Sequence, residues 1–413
     1  MGNFLIHEFT PLWLSIDRIG PFQSRLEEID FTDSNDESCN IYLFLSKNGR
    51  GKTTALELMA ILMGMLGYDK PQELAAAHGR SPKAPFDSEH LDRGLGRAQW
   101  DVRVRYSEDG SERVVVLSLI AGQIGAETSL RFWDEDALLT VGAREWHRFG
   151  FCHNEAGSWA AIGLQDQWIA NFNAIIATAA GEKIGGFEDS TLVWPTVIYF
   201  SAYRNVIPVS PDQQRAIVAP HDWNYCPVHA FRTEGGDWRD SLDNLLVWLM
   251  WLDDGRFERA ISLVNDRVFG ETSTFIKGIT KEPPEAQVIR DGNIHRLDAL
   301  SSGEKSLVQL FLRLGAHMTR NTILLIDEPE AHLHENWKFR LFNQLKNLAK
   351  DYFPRITIIV ATHSQEMMTA LALELTEPNL RKGGYLFETS EEEEKVRNIQ
   401  QEAMQRYGKL EEQ

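Results

Sequence analysis

Ser301-Ser302-Gly303-Glu304-Lys305-Ser306 stands shortly before Ile323-Leu324-Leu325-Ile326-Asp327-Glu328-Pro329-Glu330, and far upstream lies Lys47-Asn48-Gly49-Arg50-Gly51-Lys52-Thr53-Thr54. The first stretch decides the fold because of what flanks it. A Gly-rich loop ending in Lys-Thr, fed by the short β-rich run Asn40–Leu45, is a phosphate cradle. Its backbone amides wrap phosphate oxygens, and no side chain intrudes at Gly49 or Gly51. An apolar run ending in Asp-Glu reads as a buried strand whose C-terminal end delivers two carboxylates to the ligand side. A Ser and a Gly opening a helix offer a hydroxyl and amides to an anion. This order predicts an α/β chain: a two-lobe head with a mixed central sheet, flanking helices and a helical or loop insertion between the lobes. No sustained heptads are present, so no long coiled coil is expected.

Each motif assigns roles. Asn48, Gly49, Arg50, Gly51, Lys52, Thr53 and Thr54 form the loop; Lys52 places its charge on the β and γ phosphates, and Thr53 offers a hydroxyl to magnesium. The usual pattern opens with Gly where this chain has Ser46. Asp327 is expected to hold the metal and Glu328 to activate the attacking water. His363 follows a further buried strand, Ile356–Ala361, and is placed to sense the γ-phosphate. Ser301, Ser302, Gly303 and Glu304 open a helix that cannot reach the phosphate loop of its own subunit, so it is expected to cap a nucleotide held by a second copy. ATP and Mg2+ are the expected cofactors.

The bulk numbers bound the class. The 413 residues suffice for one large core or two smaller ones. A net charge of -18 argues against a surface coated in basic groups. Cys39, Cys152 and Cys226 are too scattered for a disulfide framework. The N-terminus lacks the pattern of a signal peptide, and the apolar runs Leu58–Leu66 and Leu245–Leu252 fall short of the ~20 residues a membrane helix needs. A cytoplasmic protein with no membrane partner is expected.

Along the chain, residues 1–46 read as two or three strands and Thr54–Leu66 as the helix the loop opens. Residues 67–98, punctuated by Pro and Gly, read as a long loop. Hairpins are expected at Glu108-Asp109-Gly110 and Asp291-Gly292-Asn293, a helix over Ser158–Ala179, a strand over Thr191–Phe200 and a helix pair over Leu242–Val268. Helices over Glu304–Met318 and Trp337–Leu348 flank the Asp-Glu strand. The division is 1–66 with the phosphate loop, 67–284 completing that lobe with an insertion, 285–390 with the remaining motifs, and 391–413 as an acidic tail.

With these four elements the sequence resembles the SMC and RecF-like branch of ABC ATPases. The resemblance rests on Ile16–Phe22, Ile29–Phe31, LSSGEKS at 300–306, LLIDEPEAHLH at 324–334 and ATHS at 361–364. Within the branch it is similar to compact ATPases of anti-phage systems, foremost the Septu ATPase subunits and their retron-associated form, with the PARIS ATPases and OLD nucleases as near alternatives. The resemblance implies ATP hydrolysis, homodimers or higher oligomers, and a separate nuclease partner, of HNH type if Septu-like. It also implies a nucleic acid or retron RNA–DNA as a further partner. OLD nucleases continue into a Toprim domain, for which the residues after His363 leave no room, so the chain is not expected to be a nuclease itself. The competing reading is a RecF-like ATPase that clamps DNA directly, which the acidic balance disfavours. Transporter subunits place phosphate loop and signature far closer together than the about 245 residues found here. His221, Cys226 and His229 have a spacing that suits zinc, but no fourth ligand lies nearby. Tyr203 and Arg204 fit a nucleotide or partner contact and a structural role equally, and nothing in the sequence chooses between Gln165 and Gln167 as a magnesium-touching glutamine.

Overall fold

The computed structural model describes residues 4–23, 26–33, 35–46, 49–71, 73, 96–123, 129–153, 159–181, 193–204, 208–210, 212–232, 236–270, 272–331, 333–364, 367 and 378–387. Its strands are β1 (Leu5–Asp17), β2 (Glu27–Asp30), β3 (Ile41–Leu45), β4 (Arg97–Glu108), β5 (Ser111–Gly122), β6 (Glu145–His153), β7 (Trp159–Ile162) and β8 (Pro195–Phe200). They continue with β9 (Val228–Phe231), β10 (Phe275–Ile279), β11 (Ala286–Arg290), β12 (Asn293–Arg296), β13 (Asn321–Asp327), β14 (Ile356–Thr362) and β15 (Lys382–Leu386). The helices are α1 (Lys52–Met63), α2 (Glu135–Thr140), α3 (Gln167–Gly181), α4 (Leu242–Leu252), α5 (Arg256–Arg267), α6 (Ser302–His317) and α7 (Glu335–Asp351).

A six-stranded sheet, ordered β15-β3-β14-β13-β8-β9, is parallel at every pairing. Its strands are apolar on both faces, as a doubly covered parallel sheet requires. Successive side chains point to opposite faces. Ile323 and Leu325 of β13 therefore join one core, and Leu324 and Ile326 join the other. The same alternation holds for Tyr42 and Phe44 against Ile41 and Leu43 in β3. The first core holds α1, which lies between this sheet and a second one, ordered β2-β1-β4-β5-β6-β7. The second core gathers α4, α5, α6 and α7 with the small sheet β10-β11-β12. The architecture is thus a two-lobe α/β head. Antiparallel pairing is confined to the outer sheets, while the central sheet itself is uniformly parallel.

Both Asp-Gly hairpins form. Asp109 and Gly110 at φ 48° and 82°, and Asp291 and Gly292 at 51° and 81°, take the positive angles that tight two-residue turns demand. The helix pair at 242–268 also forms, broken where Asp253 turns left-handed at φ 53°. The helix expected from Ser158 does not. Trp159–Ile162 instead pairs with β6, and Gly163 ends that strand at φ 87°. Helix α3 begins only at Gln167, where the Asp166 carboxylate accepts from the amides of Trp168 and Ile169 at 2.9 and 3.3 Å. A cap residue decided the boundary that apolar composition alone blurred. Most of the loop expected over 67–98, and the whole acidic tail, lie outside the described residues. Among the described residues no helix is longer than the 17 of α7, and none is long and apolar enough to cross a membrane.

Helices α5 and α6 approach closely at Gly315. A Cβ there would lie 2.5 Å from Ala260 Cα, and Arg259 Nε donates to the Gly315 carbonyl at 2.6 Å. Gly315→Val is expected to force the helices apart and lower stability by about 1–3 kcal/mol, the usual scale of overpacking. Urea denaturation checks this; an unchanged midpoint would contradict the packing.

Candidate nucleotide site

The phosphate loop links β3 to α1, so the parallel sheet delivers it at the C-terminal edge of its strands, where ligands of such sheets bind. Gly49, Arg50, Gly51, Lys52, Thr53 and Thr54 line a pocket of ≈160 Å³ together with Pro21 and Glu328. Gly51 adopts φ 109°, and a Cβ there would sit 2.1 Å from Phe22 Cζ. That glycine is imposed by the aromatic ring packed beneath the loop as well as by backbone angle. Lys52 is buried, and its Nζ donates to the Ser46 carbonyl at 2.7 Å and to Ser46 Oγ at 3.2 Å. The residue that departs from the usual opening glycine thus holds the lysine in place. Burial lowers the Lys52 pKa from its ordinary value, and the Glu328, Asp327 and Glu330 carboxylates act the other way. Asn48 lies outside the described residues.

Strand β13 ends at Asp327, which is 2 % exposed. Its Oδ2 accepts from Thr53 Oγ1 at 2.8 Å, while its Oδ1 is buried and has no hydrogen-bond partner among the described residues. Burial pushes this carboxyl up to about 6, with the Glu328 and Glu57 charges adding to the rise and the Thr53 bond and Lys52 opposing it. A carboxylate oxygen left unpaired beside a hydroxyl is the donor set a hard dication takes, so the residues fit Mg2+. Glu328 follows in the left-handed region at φ 42° and reaches the pocket wall.

Strand β14, the neighbour of β13, brings His363 to the same edge. Its Nδ1 lies 3.6 Å from Glu328 Oε1 and 3.5 Å from Glu330 Oε1. Glu330, which the sequence reading did not single out, is 3 % exposed and accepts from Thr362 Oγ1 at 2.5 Å and from the His363 amide at 3.2 Å. The only sequence signal for it was a second acid one residue past Pro329.

Ser301 is the N-cap of α6 in a full capping box. The Ser301 amide and hydroxyl donate to Glu304 Oε2 at 2.9 and 2.8 Å, and Arg290 Nη2 donates to Glu304 Oε1 at 2.6 Å. Burial would raise the Glu304 carboxyl, but these bonds outweigh it and hold it below the ordinary glutamate range. Glu304 therefore braces the helix start, leaving Ser301 and Ser302 exposed. None of residues 301–304 lines the phosphate-loop pocket.

The other sequence candidates separate. Tyr203 is 81 % exposed, whereas Arg204 turns inward. Gln167 bonds Asn171 on its own helix at 2.9 Å. His221 pairs with Asp240 at 2.7 Å, while His229 is buried against His317 with ring centroids 4.3 Å apart and Asp222 nearby. That trio does not suit a cation. Burial lowers the His317 pKa and keeps the ring neutral, with His229 and the Arg313, Arg256 and Arg259 guanidiniums adding to the effect, and it is those three positive charges that oppose a cation there.

Adjacent strands so bring to one edge what was scattered along the chain: the Gly-rich loop, Asp327, Glu328 and His363 meet at the C-terminal end of the parallel sheet of a two-lobe α/β fold. Residues 199–369 match a family model described as "AAA domain, putative AbiEii toxin, Type IV TA system". A 98-residue stretch is 32% identical to the "Retron Vc95 probable ATPase" of Vibrio cholerae serotype O1 biovar El Tor, covering 21% of this chain and 18% of that protein. The SMC head domain from Thermotoga maritima aligns over 87% of this chain and 92% of its own at 13% identity, with a TM-score of 0.35.

Asp327 carries a testable charge. A carboxyl whose pKa rises on folding, here from 3.8 to about 6, binds its proton more tightly when folded. The metal-free fold is therefore favoured at low pH and loses that advantage as pH climbs between those two values. Asp327→Asn is expected to stabilise the metal- and nucleotide-free protein at pH 8, on the order of 2 kcal/mol. The gap should narrow toward pH 5. Thermal melts at both pH values check this; a less stable Asn variant at pH 8 would contradict it.

Proposed function

We propose that the chain binds Mg-ATP in the pocket formed by Gly49–Thr54 and Glu328 and hydrolyses it slowly, as the switch of an anti-phage defence complex. The observation that carries this reading is the Thr53–Asp327 contact, which joins the phosphate loop to the end of β13 beside a buried carboxylate oxygen with no partner among the described residues. Asn48, Gly49, Arg50, Gly51 and Thr54 wrap the phosphates, and Lys52 leaves Ser46 to meet the β and γ oxygens. Thr53 and Asp327 would hold magnesium, which when bound would neutralise charge on the β and γ phosphates. Glu328 orients and deprotonates the attacking water, and His363, beside it, senses the γ-phosphate. Residues 1–66 and 285–390 supply the two halves of this head.

Ser301, Ser302, Gly303 and the amides of the α6 start face a second copy's nucleotide, so that ATP clamps two heads and hydrolysis releases them. The exposure of Ser301 and Ser302, away from the pocket of their own chain, supports a shared site. The likeness to a retron ATPase over a short stretch supports the defence setting, with dimers or larger oligomers restraining a separate nuclease subunit, HNH in type if the Septu resemblance holds. Nucleic acid or a retron RNA–DNA is then the signal the complex reads, in the cytoplasm, and the chain is not itself the nuclease. The net charge of -18 favours this over direct clamping of DNA, which rests on phosphate contacts.

Glu328→Gln is expected to bind ATP at near wild-type affinity yet turn it over at least ~100-fold more slowly, the scale of a lost general base. Lys52→Ala, folded, should lose ATP binding. Isothermal titration and phosphate release check both; normal turnover in Glu328→Gln moves the base elsewhere.

A mixture experiment tests the shared site. Ser301→Arg alone should bind ATP and not hydrolyse it. Mixed with Lys52→Ala, half of the composite sites in a mixed dimer pair an intact loop with an intact signature. Turnover should then partly recover after subunit exchange. No recovery, with exchange demonstrated by pull-down of differently tagged chains, would contradict the arrangement.

A further inference from the structure

Arg204 follows β8 by four residues and is 5 % exposed. Its guanidinium leaves the side of its own strand and crosses to the end of β13. Nη1 donates to the Ser201 carbonyl at 3.0 Å and to the Asp327 carbonyl at 2.8 Å, and Nη2 donates to the Glu328 carbonyl at 3.1 Å. A planar fork thus spans two consecutive carbonyls of β13's exit while anchored to its own turn. Its charge is offset by Glu330, Asp327 and Glu328, which oppose the lowering of its pKa by burial.

The backbone it grips is strained. Glu328 sits at φ 42°, a region that L-residues other than Gly, Asn and Asp rarely occupy. Pro329 follows, and a residue before proline is driven toward extended angles instead. The turn therefore needs outside support to persist. Two further bonds meet it: the Glu328 amide donates to Ala361 of β14 at 2.9 Å, and the Ala331 amide donates to the Glu328 carbonyl at 3.0 Å. Those come from the main chain and from the next strand. Arg204 is the side chain that fixes both carbonyls flanking the turn.

We infer that Arg204 is a positioning residue: its fork across the Asp327 and Glu328 carbonyls holds the left-handed turn that presents the Glu328 carboxylate to the pocket. It deepens the hydrolytic reading of Glu328 and rests on it. Arg204 touches no part of the phosphate loop in the hydrogen bonds described, so ATP affinity is expected to survive its loss while the chemical step does not. Lysine is a poor substitute, because one ammonium cannot bridge two carbonyls in a fixed plane.

The test compares wild type, Arg204→Met, Arg204→Lys, Glu328→Gln and the Arg204→Met/Glu328→Gln double variant. Each is measured for Mg-ATP affinity by titration calorimetry, for hydrolysis at saturating ATP, and for its thermal midpoint. Arg204→Met should bind ATP within about 3-fold of wild type and hydrolyse it on the order of 100-fold more slowly, the scale of a misplaced reacting group. Arg204→Lys should recover only part of that loss. If Arg204→Met lacks a cooperative melt, Arg204→Lys takes its place in the comparison. Because Arg204 acts through Glu328, adding its loss to Glu328→Gln should slow hydrolysis by no more than about 3-fold further. Hydrolysis near wild type in the Arg204 variants, losses that multiply in the double variant, or a parallel fall in affinity would each overturn the inference. Glu328→Gln hydrolysing like wild type would instead refute the role of Glu328, before Arg204 is considered.

Discussion

Burying a carboxylate with one oxygen unpaired is costly, and the arrangement around Asp327 follows from that cost. The sheet places Asp327 at the end of a strand covered on both faces, so water cannot solvate it. Thr53 satisfies one oxygen; the other stays open beside the phosphate loop. The cost is concentrated where a bound dication would relieve it, which is why the proposed magnesium site falls on this residue. Around it stand two further layers. Ser46 holds Lys52, and Phe22 presses on Gly51 from below, so the loop is braced before any phosphate arrives. Arg204 and Glu330 brace the far side, the first through carbonyls and the second through Thr362 and the His363 amide.

Two cores on opposite faces of one parallel sheet explain how distant motifs come to share an edge. Period-two alternation in β3, β8, β13 and β14 gives each face its own partner layer: α1 and the second sheet on one side, α4 to α7 on the other. The α1 helix that the Gly-rich loop opens and the α6 helix therefore belong to different cores, although the proposed function joins their motifs in one site. The exposed Ser301 cap is the consequence on the surface, and a second copy is the simplest partner that would cover it.

Much of this was legible in the sequence where the signal is local. The Gly-rich loop, the Asp-Glu strand, both Asp-Gly hairpins and the 242–268 helix pair each carry their information within a few residues. The strand Trp159–Ile162 was not legible, because its apolar run suits a helix as well and only Gly163 and the Asp166 cap settle it. Arg204 was visible as a residue but not as a brace, since the two carbonyls it braces lie more than a hundred positions away and a carbonyl has no sequence signature. Glu330 was hidden for a related reason: its partner Thr362 lies on another strand. Ser46 read only as a departure from the usual opening Gly, whereas its carbonyl and hydroxyl accept from Lys52.

The most direct measurement is a structure of the Glu328→Gln protein with Mg-ATP. The account predicts magnesium bound by Thr53 Oγ1 and reached by Asp327 directly or through one water. Lys52 should lie on the β and γ phosphates, and Ser301 of a second copy should stand against the γ-phosphate. Magnesium away from Asp327, or a nucleotide fully enclosed by one chain with Ser301 facing solvent, would contradict it.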